Sequence, residues 1–383
     1  MSSSHTSRQL DIFRGFAAIL MVLNHAGFHW LSPIDATAGI DGIAVFLGSA
    51  APALFFFATG VGMGLSRRTA VDWKGIARKV VLLLIADLFL NWSVHRWIGL
   101  DFFAFCAISM LAVALVTSTR RPVVTAWVAI AACVLLRYAF VARLQPLASD
   151  VPAIAFLTGI DGVEGVSYPL SPWLVFPLGG FVLGRLVGSG EARAPRVALA
   201  VLAVASGGLA AWLAWRGAVV HRWNTVSVAY FLFAVAFVIA VWLLADLLAV
   251  ASASRLVAAL QTRGPASLLI VPVHYALIGV GAALLPPPWN PMAWLPAALG
   301  LCVVALSSAR WIAACFRRWA DRPAVSRGLA LLLPACSAVI AACVVAAPPL
   351  AGLLAACLGQ ILVAGNLARP ETVVTRPDMR RTI

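Results

Sequence analysis

The stretch Arg8–Trp30, RQLDIFRGFAAILMVLNHAGFHW, decides the fold class. It is of membrane length, because about twenty helical residues at about 1.5 Å each cross roughly 30 Å of hydrocarbon. Yet it carries Asp11, Arg14, Asn24, His25 and His29 among its apolar residues. At about 100° per residue, Arg14 and His25 fall about 20° apart around a helix and roughly 16 Å apart along it, on a stripe that also holds Ala18 and Met21. Ionisable groups are costly at bilayer depth, so they normally face a protein interior or a wet cavity. In the plainer reading, Arg14 snorkels to the interface and His25 bonds a neighbouring backbone. Their placement on one stripe favours a site.

Outward from that helix, the 383-residue chain is 62% hydrophobic and only 11% charged, with a mean hydropathy of +0.97. This excludes an ordinary soluble domain and implies an all-α, polytopic transmembrane helical bundle. The first apolar run carries Asp11 and Arg14 and has no small-residue cleavage site, so it is expected to remain in the mature chain. Seven cysteines lie singly in apolar runs. They lack the paired spacing of a zinc or redox motif, and no metal site is expected. The formal charge of +14 suits helix ends beside an anionic leaflet better than nucleic acid, which is not an expected partner. Membrane lipids are. No P-loop, G-x-S-x-G elbow or H-E-x-x-H motif occurs, which removes support for an ATPase, a serine hydrolase or a zinc protease.

Runs of spanning length fall at 10–31, 42–65, 77–95, 101–117, 123–142, 172–188, 196–215, 226–250, 265–285, 293–316, 328–347 and 349–367. The expectation is therefore about 10–12 transmembrane helices, the last pair depending on whether Pro348 and Pro349 separate two spans or kink one hairpin. An even number puts both termini on one side. With the N-terminus inside, 21 of the 28 lysines and arginines lie in inner segments and four outside, so both termini are expected to be cytoplasmic. The long outer connection, Arg143 to Ser171, is either a solvated loop or a lid. No soluble domain is evident, so 1–383 reads as one membrane domain, with its core motifs in 8–285 and the helices after 328 peripheral.

Three further stretches carry polar groups. Asp87, Asn91 and His95 are spaced by four and share a helix face, as a catalytic relay or as interhelical glue. GPASLLIVPVHYALIG, residues 264–279, puts His274 two residues after a helix-kinking Pro272, either as a second site residue or as a satisfied structural group. The basic connection SRRTAVDWKGIARK, residues 66–79, obeys the positive-inside rule, and its Arg67, Arg68, Lys74, Arg78 and Lys79 also suit phosphate. The glycines of GIAVFLGSAAPALFFFATGVGMGL, residues 42–65, suit close helix packing.

RQLDIFRGFAAILMVLNHAGFHW resembles the opening Arg, Asp and Arg-Gly signature of the membrane-bound acyltransferase-3 superfamily, in which a histidine eleven residues after that arginine is the proposed catalytic group; Arg14 and His25 have that separation. SAAPALFFFATGVGMGLSRR, residues 49–68, resembles the family's second helix. YPLSPWLVFPLGGFVLGRL, residues 168–186, is similar to the signature of the heparan-alpha-glucosaminide N-acetyltransferase branch. In eukaryotic members of that branch an asparagine takes the place of His25 and a functional histidine comes later. Here Asn24 precedes His25, and the later candidates are His29 and Asp35.

The resemblance implies acyl transfer from cytoplasmic acyl-CoA, usually acetyl-CoA, to a hydroxyl or amine of a saccharide or lipid-linked acceptor. A bacterial cytoplasmic membrane and a role in the cell envelope are expected, and a homodimer is allowed. His25 is then the general base or a transiently acylated nucleophile. Arg14, with Arg67 or Arg68, holds CoA phosphates and Asp11 orients Arg14. Asn24 or His274 donates to the oxyanion. The rival reading is a transporter or flippase of a lipid-linked saccharide, using the same polar stripe as a path.

Overall fold

The computed structural model describes residues 3–37, 39–66, 71–93, 99–140, 143–144, 151–158, 166–188, 193–220, 226–250, 255–262, 264–285, 287–320, 339, 342 and 349–367. Among them the regular elements are helical. They run α1 (Ser3–Trp30), α2 (Gly39–Gly48), α3 (Ala51–Leu65), α4 (Trp73–Ser93), α5 (Phe102–Thr117), α6 (Pro122–Tyr138), α7 (Pro152–Thr158), α8 (Leu170–Trp173), α9 (Val175–Gly188), α10 (Arg193–Trp215), α11 (Val228–Val250), α12 (Arg255–Leu260), α13 (Gly264–Leu284), α14 (Pro291–Ala320) and α15 (Pro349–Leu367). Seven spans among the described residues are long and apolar enough to cross a membrane, and α5, α6 and Leu350–Ala364 are shorter apolar helices. The chain is a polytopic helical membrane protein. The span read at 328–347 lies, but for two residues, outside the described residues, as do Arg67, Arg68 and His95.

The span read as one helix over 42–65 remains one span, Gly39–Leu65, but is built of two helices, α2 and α3. Pro52 lies in the first turn of α3 and has no N–H to continue a ladder from α2. Gly48, at the break, presses on the Leu20 carbonyl and on Asn24, where a Cβ would collide. The broken backbone is satisfied from other elements: Tyr230 Oη donates to the Ser49 carbonyl over 2.8 Å, and Asn24 Nδ2 donates to the Val45 carbonyl over 2.8 Å. Interrupted backbone at membrane depth is tolerated where protein or a cavity surrounds it.

The glycines of the second span pack as their spacing predicts. Gly60 and Gly64 of α3 face Gly180 and Gly184 of α9, and a Cβ on any of the four would meet backbone of the opposite helix. Both helices thus present a small-xxx-small face, which lets two backbones approach closely where lipid supplies no hydrophobic drive for association. Helix α10 is the opposite case: Val197, Val204 and Trp215 are exposed along its length, as expected of a helix whose apolar face meets lipid.

Helix α1 is central and packs against α2, α3, α11, α12, α13 and α14. Its lower end is docked by Gln9 Nε2 on the Trp242 carbonyl and by the Thr262 N–H on the Asp11 carbonyl. Gly15 sits against the Leu260 carbonyl, a contact that leaves no room for a Cβ. Its upper end is docked on α13, where Trp30 Nε1 donates to the Ile278 carbonyl over 3.2 Å. Those two anchors set the register of α1 along α13, and with it what His25 faces.

Candidate functional site

His25 faces His274. The Nδ1 of His25 lies 2.7 Å from the Nε2 of His274, and the two rings stack at 5.0 Å between centroids with 19° between planes. His274 Nδ1 lies 2.7 Å from the Ile270 carbonyl oxygen. A carbonyl only accepts, so His274 carries its proton on Nδ1 and its Nε2 accepts. His25 must then donate from Nδ1, which leaves His25 Nε2 as the basic nitrogen. The Tyr275 hydroxyl is 3.4 Å from that nitrogen, a long contact, and its ring stacks on His25 at 4.7 Å. His274 has both ring nitrogens engaged within the protein, so the arrangement makes it a partner of His25 and leaves it no donor for an oxyanion.

Two cavities lie along α1, one lined by Arg14 and the other by His25. The larger, about 720 Å³, is lined by Arg14, Lys79 and Arg185 with Thr59, Ser66, Asp72 and Ser267, and by the apolar Phe55, Phe102, Cys106 and Met110. Its size is in the range of small-molecule sites. The smaller, about 50 Å³, is lined by Asn24, His25, Ser49, Asp101, Tyr168 and Tyr275 with Met21 and Phe102. Phe102 lines both. The stripe read from the sequence therefore spans the two cavities, with Arg14 on the large one and Met21 and His25 on the small one.

The basic groups of the large cavity are placed by their own contacts. Arg14 Nη1 lies 3.3 Å from Asp11 Oδ1, and Gly62 opposite keeps its guanidinium from being crowded. Arg185 donates to the Ser66 carbonyl at the end of α3 and lies over the Phe181 ring, 5.4 Å from its centroid. Its Nε is buried with no hydrogen-bond partner among the described residues. The sequence reading missed Arg185; the only signal was its place in an -LGRL- run that ends a span. Arg78, read as a phosphate candidate, instead donates to the Asn366 carbonyl at the end of α15.

The other predicted residues fall as follows. Asn24 lines the small cavity while tying α1 to α2. His29 is exposed, and Asp35 accepts from Ser32 Oγ over 2.7 Å in the turn after α1. Asp87 is buried and accepts from the Ala104 N–H over 3.0 Å and from Asn91 Nδ2 over 2.9 Å. It anchors the first turn of α5, which favours the glue reading of that stripe. Among the described residues no group of three or more His, Cys, Asp or Glu is placed to hold a metal ion.

Asp101 and Tyr168 were not singled out from the sequence, and only tertiary pairing brings them together. The Ser167 N–H donates to the Leu100 carbonyl over 3.0 Å, in a parallel bridge between Leu100 and Val166. Asp101 caps α5, accepting from the Phe102 N–H over 2.7 Å. Tyr168 packs edge-on against Phe56 and Trp173. Burial, reinforced by the charge of Asp101, holds the Tyr168 hydroxyl well above the usual phenol range, so it remains a proton donor.

Fold and site together define an integral-membrane protein in which half-buried His25, paired with buried His274, lines a small cavity beside a larger one lined by Arg14, Lys79 and Arg185. The sequence pattern described as "Heparan-alpha-glucosaminide N-acetyltransferase, catalytic" matches residues 7–219, more than half of the chain. The chain belongs to this family. No curated protein and no solved structure matches it significantly.

Proposed function

We propose that this protein is a membrane acetyltransferase that moves an acetyl group from cytoplasmic acetyl-CoA to a hydroxyl or amine of a saccharide or lipid-linked acceptor. The observation that carries this reading is the pair of cavities meeting at Phe102, one with Arg14, Lys79 and Arg185 in its lining, the other with His25. The CoA phosphates bind the guanidinium groups of Arg14 and Arg185, with Asp11 orienting Arg14. Arg67 and Arg68, on the connection that follows Ser66, stay candidates for the same task. The pantetheine arm follows the apolar wall of Phe55, Cys106 and Met110 and brings the thioester past Phe102. This donor end is cytoplasmic by the distribution of lysine and arginine, and family membership covers α1 to α10.

His25 Nε2 acts as general base on the acceptor, its tautomer set through Nδ1 by His274. A transiently acylated His25 is the variant of the same scheme. Asn24, already bonded to Val45, retains a second amide N–H that is a candidate oxyanion donor. The membrane-bound acyltransferase-3 resemblance in residues 8–30 supports the same pairing of arginine and histidine.

Purified protein given acetyl-CoA is expected to release CoA slowly, and to lose that activity in His25→Ala while its thermal unfolding transition is retained. Undiminished thioester loss in the folded variant removes His25 from the mechanism. The broken span α2–α3 at the site favours a second reading, a transporter of a lipid-linked saccharide, since transporters use interrupted helices at their binding sites. Equilibrium binding of radiolabelled acetyl-CoA separates the two: no binding leaves the transporter.

A further inference from the structure

Two consecutive residues of α13 serve one ring of α1. His274 and Tyr275 lie about 100° apart around their helix, and each reaches a different nitrogen of His25. His274 Nε2 meets Nδ1 over 2.7 Å, and the Tyr275 hydroxyl lies 3.4 Å from Nε2. Three rings hold the phenol in place: its centroid is 4.7 Å from that of His25, 4.5 Å from that of His274 and 6.4 Å from that of His29, which it meets edge-on. Tyr275 lines the small cavity together with His25 and Asn24. A donor fixed in this way before substrate arrives costs no reorganisation at the moment of reaction.

Resting on the acetyl-transfer reading, we infer that Tyr275 is a catalytic residue of this site, its hydroxyl donating to the thioester carbonyl oxygen as that oxygen becomes negative. A phenol has one hydrogen to give. Before substrate binds it faces His25 Nε2, whose lone pair is free because His274 fixes the proton of His25 on Nδ1. At 3.4 Å that contact is weak, so an acceptor X–H that donates to Nε2 displaces it. The Tyr275 hydrogen then turns about its own C–O bond, with no movement of the ring. A base and a donor this close share a point about 3 Å from both, where a reacting atom fits. His25 Nε2 takes the proton of X–H, X attacks the thioester carbonyl, and the oxyanion accepts from Tyr275. The carbon–sulfur bond breaks and His25 gives the proton to the departing sulfur. The sum is X–H plus acetyl-CoA giving X–acetyl and CoA–SH, and Tyr275 keeps its hydrogen throughout.

The test uses Tyr275→Phe, which keeps the stacked ring and removes the hydroxyl, in detergent-solubilised full-length protein. Two probes are titrated at equilibrium: CoA, and trifluoroacetonyl-CoA, whose ketone adds water to form a tetrahedral carbon that mimics the intermediate. The wild type is expected to bind the ketone on the order of 10²-fold more tightly than CoA, as transition-state analogues do. Tyr275→Phe is expected to lose most of that advantage while CoA binding holds, and to release CoA from acetyl-CoA about 10²-fold more slowly, with water as acceptor and KM for acetyl-CoA unchanged. A variant that keeps the full preference for the ketone overturns the donor role, as does one that loses CoA binding equally, which marks a structural part; the acetyl-transfer reading stands in both cases. A wild type that binds neither probe overturns both.

Discussion

His274 has no proton to give and none to take beyond what Ile270 and His25 already use, and that constraint makes it informative. In the proposed scheme its effect on catalysis runs through His25, as the acid of a hydrolase triad acts through its histidine. His274→Ala is expected to lower kcat on the order of 10²-fold with KM for acetyl-CoA unchanged, measured by steady-state release of CoA. A shifted donor KM with kcat intact contradicts the assignment. Arginine tells a similar story at several positions. Arg78 and Arg137 are bonded to carbonyls at the ends of α15 and α7, where a cation also complements the helix dipole. Of the many basic groups visible in the sequence, those lining the large cavity among the described residues are Arg14, Lys79 and Arg185.

Helices α3 and α9 show why glycine spacing was readable and its partner was not. The four-residue spacing of Gly60 and Gly64 marks a close-packing face on any helix. That the face meets Gly180 and Gly184, and no other small-residue stretch, depends on how the bundle closes. The contact also holds α3, and with it the break at Ala51 and Pro52 that walls the small cavity. Gly180→Ala places a methyl group against the Phe57 carbonyl. It is expected to destabilise by about 1–3 kcal/mol through overpacking, read as a lowered unfolding midpoint in detergent. Gly208→Ala, on lipid-facing α10 with open space around it, is expected to be neutral or slightly stabilising in the same assay.

Across the whole molecule, the large cavity lies beside the start of α4 and the end of α15, where Asp72, Lys79 and Leu367 contribute to its lining. Transfer between the two sides of a membrane requires that this mouth and the His25 cavity open to different compartments. In a cysteine-depleted background, Ser66→Cys is expected to react with a membrane-impermeant maleimide in inside-out vesicles and to be protected in right-side-out ones. Under the proposed function acetyl-CoA is expected to slow the labelling, because Ser66 lines the large cavity. Labelling from the outer side instead reverses the orientation argued from the lysine and arginine distribution.

Much of this molecule was already written in local patterns. Membrane-length apolar runs placed the helices, since spanning length and hydropathy are properties of consecutive residues. The spacing of Arg14 and His25 placed both on one stripe, because helical periodicity needs no tertiary information. Tertiary structure alone decided the partners. His25 met His274 through the docking of Trp30 on Ile278. Arg185 reached the large cavity through the glycine contact of α9 with α3. Asp101 met Tyr168 through one backbone bridge between distant segments. Each of these pairings joins residues far apart in sequence, and no period along the chain encodes which distant helix a polar face will find.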